Sequence, residues 1–165
     1  MSISSFDRPR EDRYFDDYQL GAVHEFGHVV VSEAELLEFA RRYDPQPFHI
    51  DRAAAARSPF GGLIASGWHT TALMMRMLVD HYVSAVASLA SPGVDELRWL
   101  APVRPGDALR TRATVIDARR SRSQPDRGVL TSFIEIINQD AIVVMTLKAV
   151  NFLLTRAPAA NVSDG

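Results

Sequence analysis

A short segment from Asp44 to His49, which reads Asp-Pro-Gln-Pro-Phe-His, places a carboxylate and an imidazole close together in the chain. The two prolines fix their own φ angles and push Asp44 and Gln46 toward extended geometry. A segment this stiff presents its side chains in a defined orientation, which suits general acid–base catalysis at neutral pH. The residue types also allow a plainer interpretation, in which Asp44 caps a turn and His49 is a half-buried spacer.

Three glycines follow this segment, and the last of them, Gly67, stands where a long apolar run begins. The first amides of a helix lack internal partners and lie at the positive end of its dipole. A glycine there lets a ligand oxygen approach closely, so the Gly67 amide could polarise a carbonyl as an oxyanion-hole donor. For Gly61 and Gly62, the sequence favours a plainer interpretation, in which these glycines only permit tight packing of a loop. Trp68 and His69 either line a pocket or pack in the core.

The composition excludes several other kinds of site. The chain has 165 residues and no cysteine, which predicts one domain and excludes disulfides, thiolate zinc sites and a cysteine nucleophile. A net charge of −2 argues against nucleic acid as a partner. His49 has Asp51 nearby but no second histidine, so we expect no metal site. The first residues lack a signal-peptide pattern and no apolar run could span a membrane, so we expect a cytoplasmic protein.

The helices that must position these residues follow from caps and breakers. Residues 23–30 are a predicted strand, and Ser32 with Glu35 forms a capping box that starts a helix ending near Tyr43. Asp51 is the predicted N-cap of a second short helix rich in alanine. The longest predicted helix runs from Gly67 to about Ser88 and is stopped by Ser-Pro-Gly at 91–93. It is apolar almost all round, which is typical of a helix wrapped by other structure.

The second half of the chain is predicted to be strands. The alternating apolar segments are 94–100, 108–117, 129–138 and 141–154, with a charged hairpin loop over 119–128. Helices segregated from a run of antiparallel strands predict an α+β fold in which the sheet wraps the long helix. We divide the chain into an irregular N-terminal arm over 1–19, a domain over 20–156 and a flexible C-terminal tail over 157–165.

The segments "YDPQPFHID" and "SPFGGLIASGWHT" together resemble a known family, the MaoC-like dehydratases, also called (R)-specific enoyl-CoA hydratases. The usual pattern of that family is Asp-x-Asn-Pro-x-His, followed later by a glycine that starts the central helix. The resemblance covers roughly residues 20–154. It implies the hot-dog fold, in which a curved antiparallel sheet wraps a long helix, and this agrees with the order of elements above.

The resemblance also implies an activity and a set of site residues. The implied reaction is (R)-specific hydration of a trans-2-enoyl thioester of CoA or an acyl carrier, or the reverse dehydration of a 3-hydroxyacyl thioester. It requires no cofactor besides the CoA thioester substrate. Asp44 and His49 would be the catalytic pair, and Gly67 would donate its amide to the thioester oxygen. The residues expected to contact substrate are Gln46, Pro47, Phe48, Gly62, Ser66 and Trp68.

Three positions depart from the family pattern and bear on which thioester fits. Gln46 replaces the usual asparagine, Ser66 replaces a histidine common before the glycine, and Met75 stands where some hydratases carry a small hydroxyl residue. A hot-dog thioesterase and a non-catalytic acyl-thioester binding subunit remain as alternatives.

The resemblance further implies a homodimer or a higher homo-oligomer that acts in fatty acid metabolism, with no membrane partner. The phosphates of CoA would meet basic residues at the rim of the site. The candidates for that contact are Arg57, Arg104 and the arginines of the 119–127 loop.

Overall fold

A computed structural model describes residues 3–156, and its frame is one five-stranded antiparallel sheet. The strands are β1 (Val23–Val30), β2 (Ser88–Trp99), β3 (Ala108–Arg120), β4 (Arg127–Ile137) and β5 (Val143–Leu154). Their order in the sheet is β1-β3-β4-β5-β2, and every neighbouring pair is antiparallel. The predicted α+β class is confirmed, since the helices precede most of the strands in sequence and pack on one side of the sheet.

Four helices lie between β1 and β2; three of them begin where the sequence predicts, and the short helix at Pro47–Ile50 was not predicted. They are α1 (Glu33–Tyr43), α2 (Pro47–Ile50), α3 (Arg52–Arg57) and α4 (Gly67–His81). The Ser32 hydroxyl accepts the Glu35 N–H at 3.4 Å and starts α1. The Asp51 carboxylate accepts the Ala54 N–H at 2.8 Å and starts α3. Each such cap satisfies an amide that has no partner inside the helix.

The core lies between α4 and the concave face of the sheet. Met74, Met77 and Leu78 on the inner side of α4 are buried, and strand residues such as Leu109 and Ile134 meet them from the sheet. Burial of each large side chain contributes about 1.5–3 kcal/mol, so this layer holds the helix in the sheet. On the opposite face of α4, Trp68, Met75 and Val79 are left exposed by residues 3–156.

The end of α4 differs from the prediction, since the helix stops at His81 and not near Ser88. Two arginines of the N-terminal segment bind its last carbonyl groups. Arg13 donates to the carbonyls of His81 and Tyr82 at 3.0 and 2.9 Å. Arg10 donates to the carbonyl of Asp80 at 3.1 Å. These side chains satisfy the carbonyls that a longer helix would have bonded itself, so tertiary contacts override the local preference for helix.

The strand that follows begins earlier than predicted. β2 starts at Ser88, so the Ser-Pro-Gly sequence at 91–93 lies inside a strand instead of ending a helix. β2 is at the edge of the sheet and bonds only to β5, so Pro92 removes an N–H that no neighbouring strand requires. The hairpin between β3 and β4 is also tighter than predicted, because both strands extend into the charged segment and leave 121–126 as the loop.

The N-terminal segment packs on the domain. It contains two turns of 3-10 helix, Arg10–Asp12 and Phe15–Asp17, and buries Phe15 and Tyr18 in the core. The division into an arm over 1–19 and a domain over 20–156 stays a prediction, and the tail over 157–165 lies outside the described residues. None of the helices in 3–156 is long and apolar enough to cross a membrane.

Candidate active site

Asp44 stands where α1 ends, with its side chain turned toward the start of α4. Its backbone leaves the helix at φ −149° and ψ 66°, as expected for a residue before proline. One carboxylate oxygen, Oδ2, accepts the Ser66 hydroxyl at 2.7 Å and lies 3.4 Å from Nε2 of His49. The other oxygen, Oδ1, accepts the Gln46 side-chain amide at 2.7 Å. The carboxylate is therefore held in place by donors from two different segments.

These contacts also set the charge of Asp44. Partial burial by itself would raise the pKa of this carboxyl, but the hydrogen bonds from Gln46 and Ser66 and the neighbouring His49 outweigh it, so the pKa lies below its ordinary value. Hydrogen bonds donated to a carboxylate favour its ionised form. Asp44 is therefore an anion at neutral pH and can only accept protons or hydrogen bonds.

His49 is a buried residue on α2 whose tautomer is fixed by the backbone. Its Nδ1 lies 2.8 Å from the carbonyl oxygen of Ile64. A carbonyl oxygen only accepts, so Nδ1 carries the proton and Nε2 of the neutral ring presents its lone pair. Nε2 and the ionised Asp44 are then two acceptors facing each other. One water molecule that donates a hydrogen bond to each would satisfy both.

Gly67 is the first residue of α4, and the Trp99 side chain leaves no room for a Cβ at this position. A Cβ at this position would lie 2.6 Å from Cδ2 and 2.7 Å from Nε1 of the indole, which is closer than atoms can pack. The Gly67 N–H makes no hydrogen bond among residues 3–156. A free amide at the positive end of a helix dipole is a donor for an oxygen that gains negative charge.

A cavity of about 320 Å³ brings these groups together. His49 and Gly67 both line it, and Thr70 adds a hydroxyl one turn further along α4. The remaining walls are mostly apolar and come from the segments 60–65 and 99–103 and from β5. They are formed by Phe60, Ile64, Ala65, Trp99, Leu100, Ala101, Pro102, Val103 and Val144. An apolar cavity with a few convergent polar groups is typical of a small-molecule site.

Three of the residues expected to contact substrate also contact Asp44 or His49. Ser66 is fully buried; its hydroxyl donates to Asp44 and accepts the Trp68 N–H at 3.3 Å. Gln46 is exposed and donates to Asp44 from the outer side. Phe48 packs edge-on against the His49 ring, with centroids 4.5 Å apart. All three side chains therefore contact Asp44 or His49, and none of them lines the cavity.

The other expected contacts lie away from the cavity. Pro47 is exposed at the first position of α2. Trp68 is 58% exposed on the outer face of α4, where it packs edge-on against Trp99. Gly62 lines a different cavity next to Arg104. Met75 is also on the outer face of α4, two turns beyond Gly67. Direct substrate contact by these residues stays a prediction.

Several functional positions were not predicted from the sequence. Trp99 closes over Gly67, the Ile64 carbonyl fixes the His49 tautomer, and Thr70 faces the cavity. Only Thr70 had a sequence signal, since it lies three residues after Gly67 on a helix and so on a neighbouring face. The other two depend on contacts across the fold. No group of three or more His, Asp or Glu side chains in residues 3–156 is placed to hold a metal ion.

One long helix held in a curved five-stranded antiparallel sheet is the hot-dog fold, as the resemblance implied. Residues 19–135 match the family model described as MaoC like domain, and this chain belongs to the MaoC-like dehydratase family.

Individual relatives agree with this assignment. The crystal structure of a MaoC-like dehydratase from Rhodospirillum rubrum is 37% identical and superposes with a TM-score of 0.80, covering 88% of this chain and 99% of that one. The uncharacterized protein YdeM of Bacillus subtilis is 29% identical over 129 residues, which is 78% of this chain and 90% of that protein. The 3-hydroxyacyl-thioester dehydratase Z of Mycobacterium tuberculosis is 28% identical over 110 residues, covering 66% of this chain and 73% of that protein.

Proposed function

We propose that the protein catalyses the reversible hydration of a trans-2-enoyl thioester to an (R)-3-hydroxyacyl thioester. The observation that carries this proposal is that His49 and Gly67 line one mostly apolar cavity, with the Asp44 carboxylate 3.4 Å from Nε2 of His49. The membership of a dehydratase family and the similarity to a named 3-hydroxyacyl-thioester dehydratase support it.

The proposed reaction adds one water molecule across the double bond, with the hydroxyl going to Cβ and a hydrogen to Cα. Asp44 and His49 both accept hydrogen bonds from the water and orient its oxygen toward Cβ. As the C–O bond forms, the pair takes one proton from the water and returns a proton to Cα. The electron pair of the double bond moves toward the thioester carbonyl, whose oxygen becomes enolate-like and accepts the Gly67 N–H. The addition of water involves no net oxidation or reduction, so the proposal includes no redox cofactor.

The expected contributions of these groups to the rate are large enough to be measured when each group is removed. General acid–base catalysis by a positioned side chain contributes about 10²–10⁴ in rate. A preorganised oxyanion donor contributes about 10²–10³. Ser66 and Gln46 favour the ionised form of Asp44, and the Ile64 carbonyl binds the Nδ1 side of His49, which leaves Nε2 as the nitrogen that can exchange a proton.

We also propose that two copies of the chain form a dimer through the outer face of α4 and the edge strand β2. Trp68, Met75 and Val79 repeat along one side of α4, and each is at least 39% exposed. Val94 and Leu100 at the β2 edge add two further apolar side chains at 50% and 56% exposure. A second copy would cover this apolar surface and pair the free edge of β2. The predicted cytoplasmic location and role in fatty acid metabolism stay predictions.

The proposal is tested with a panel of trans-2-enoyl-CoA thioesters of increasing chain length. Hydration removes the conjugated double bond, so the enoyl-thioester absorbance should fall, and an (R)-specific dehydrogenase should oxidise the product. Asp44→Asn and His49→Asn should each lower kcat by about 10²–10⁴. Asn at 49 retains an N–H near the position of Nδ1 for the Ile64 carbonyl but has no basic Nε2.

The controls separate chemistry from folding and from other activities. Both variants should melt within a few degrees of the parent protein. Release of free thiol from saturated acyl-CoA, without hydration, would show a thioesterase. Tight binding of acyl-CoA without turnover at any chain length would show a binding subunit. Either result would overturn the proposal, as would unchanged rates in both variants.

A further inference from the structure

A second cavity follows the first along the same two segments of chain. The active-site cavity is lined by Ile64 and Ala65 from one segment and by Val103 from the other. The second cavity, of about 370 Å³, is lined by the residues that come next, Gly62 and Leu63 on one side and Arg104 and Pro105 on the other, together with Glu33 and Arg52. The Ala65 N–H donates to the Val103 carbonyl at 2.8 Å and joins the two segments.

Arg104 is the cation of this second cavity that has no carboxylate partner. Its guanidinium donates to the Phe60 carbonyl at 2.6 Å, and no acid in residues 3–156 forms an ion pair with it. The other cation of the cavity, Arg52, is paired with Glu33. Gly62 leaves room for the guanidinium, since a Cβ there would lie 3.3 Å from Nη1. Most of the guanidinium donors therefore remain free for an anion.

We infer that Arg104 binds the phosphate of a phosphopantetheine arm whose thioester lies in the active-site cavity. This inference rests on the proposed function, because it concerns the arm that carries the acyl group. CoA and acyl carrier proteins share this phosphate. An arginine is suited to it because its planar fork of donors matches phosphate oxygens.

The extended arm is about as long as the greatest separation that Gly62 and Gly67 can have. The phosphorus of a phosphopantetheine arm lies about thirteen covalent bonds from the thioester sulfur, which is roughly 16 Å for an extended chain. The five residues from Gly62 to Gly67 span at most about 17 Å. An arm whose thioester oxygen meets the Gly67 amide can therefore place its phosphate beside Gly62 and Arg104.

The other basic candidates are less well placed. Arg57 lines neither of the two cavities. The arginines of the β3–β4 hairpin lie at the far end of β3, whose 13 residues span about 40 Å from the end next to Arg104. Three of those arginines, at 119, 120 and 127, also form ion pairs with Asp117, Asp16 and Asp126. Of these candidates in residues 3–156, Arg104 is the one that lines the cavity next to the active site.

Binding measurements test this without requiring turnover. Calorimetry would compare 4′-phosphopantetheine with pantetheine, which differ only in the phosphate, in the parent protein, Arg104→Gln and Arg122→Gln. Arg122 is an exposed arginine of the distal hairpin and serves as the matched control. The parent and Arg122→Gln should bind the phosphorylated arm about tenfold more tightly. Arg104→Gln should bind both arms equally. An unchanged preference in Arg104→Gln would overturn the inference.

Turnover measurements form the second part of the test and identify the carrier of the acyl group. Arg104→Gln should raise KM about tenfold for enoyl-CoA and for an enoyl-acyl carrier protein, leave kcat within twofold, and leave the enoyl-pantetheine rate unchanged. A loss confined to the CoA substrate would place Arg104 on the nucleotide phosphates and overturn the inference. An equal loss on enoyl-pantetheine would show a structural role and also overturn it. If the parent hydrates no thioester, the proposed function fails while the calorimetric result still decides the role of Arg104.

Discussion

The Ser66 hydroxyl donates to Oδ2 of Asp44 at 2.7 Å, across 22 residues of sequence. The same hydroxyl oxygen accepts the Trp68 N–H at the start of α4. One side chain thus fixes the carboxylate relative to the helix that carries Gly67. The family's common histidine at this position is replaced here by a residue that serves both as a helix cap and as a support for the acid–base pair.

Ser66→Ala should raise the pKa of Asp44 and reduce activity, because the carboxylate loses a hydrogen-bond donor. Asp44 must be ionised to accept a proton, so the acid limb of kcat/KM should move to higher pH. Losing the cap should also cost about 0.5–2 kcal/mol of stability. Ser32→Ala is the matched control, because it removes the cap of α1 and leaves Asp44 untouched. A pH–rate profile that is the same in both variants would contradict this role of Ser66.

Gly67→Ala should reduce both stability and activity, because the new methyl group would overlap the Trp99 indole. Overpacking of this kind costs about 1–3 kcal/mol. Alanine retains the backbone N–H, so the double variant Gly67→Ala/Trp99→Leu should recover stability and part of the rate. Thermal melting and kcat measure the two effects. If the double variant melts as low as the single one, the indole is not the obstacle.

Met75→Glu should disrupt the proposed dimer, because a charge would be placed in the middle of an apolar interface. Sedimentation velocity should show a dimer for the parent protein and a monomer for the variant. Ile116→Glu changes an exposed apolar side chain of similar exposure on β3, outside the proposed interface, and should remain dimeric. A monomeric parent protein at micromolar concentration would contradict the interface.

Stability should fall in mildly acidic solution, partly because of His24. Burial lowers the pKa of this imidazole below 6.5, and the nearby Arg13 lowers it further. The unfolded chain then binds a proton more readily than the folded one, so stability contributed by neutral His24 is present above pH 6.5 and is lost as pH falls below it. The ring stacks on Phe6 with centroids 3.9 Å apart, so His24→Phe keeps the packing.

Melting midpoints between pH 7.5 and pH 5 check this prediction. The decrease toward pH 5 should be smaller in His24→Phe than in the parent protein. His28→Phe, at an exposed position on the same strand, should show the parent decrease. Equal decreases in all three proteins would assign the effect to other groups.

The sequence alone determined the features that depend on neighbouring residues. Pro45 after Asp44 ended α1, Ser32 and Asp51 supplied the caps of α1 and α3, and alternation marked the strand at 108–117. The stiff Asp44–His49 segment and Gly67 could be singled out as one candidate site for the same reason. Each of these signals acts within a few residues, where backbone geometry and hydrogen bonding are local.

Only the tertiary structure decided the rest, because it depends on residues far apart in the chain. The end of α4 is set by Arg10 and Arg13, which local helix preference cannot anticipate. The carbonyl of Ile64 chooses the protonated nitrogen of His49, and Trp99 excludes every side chain at Gly67. A sequence shows which groups are able to do the chemistry; the charge and orientation of those groups follow from the partners that folding brings to within hydrogen-bond distance.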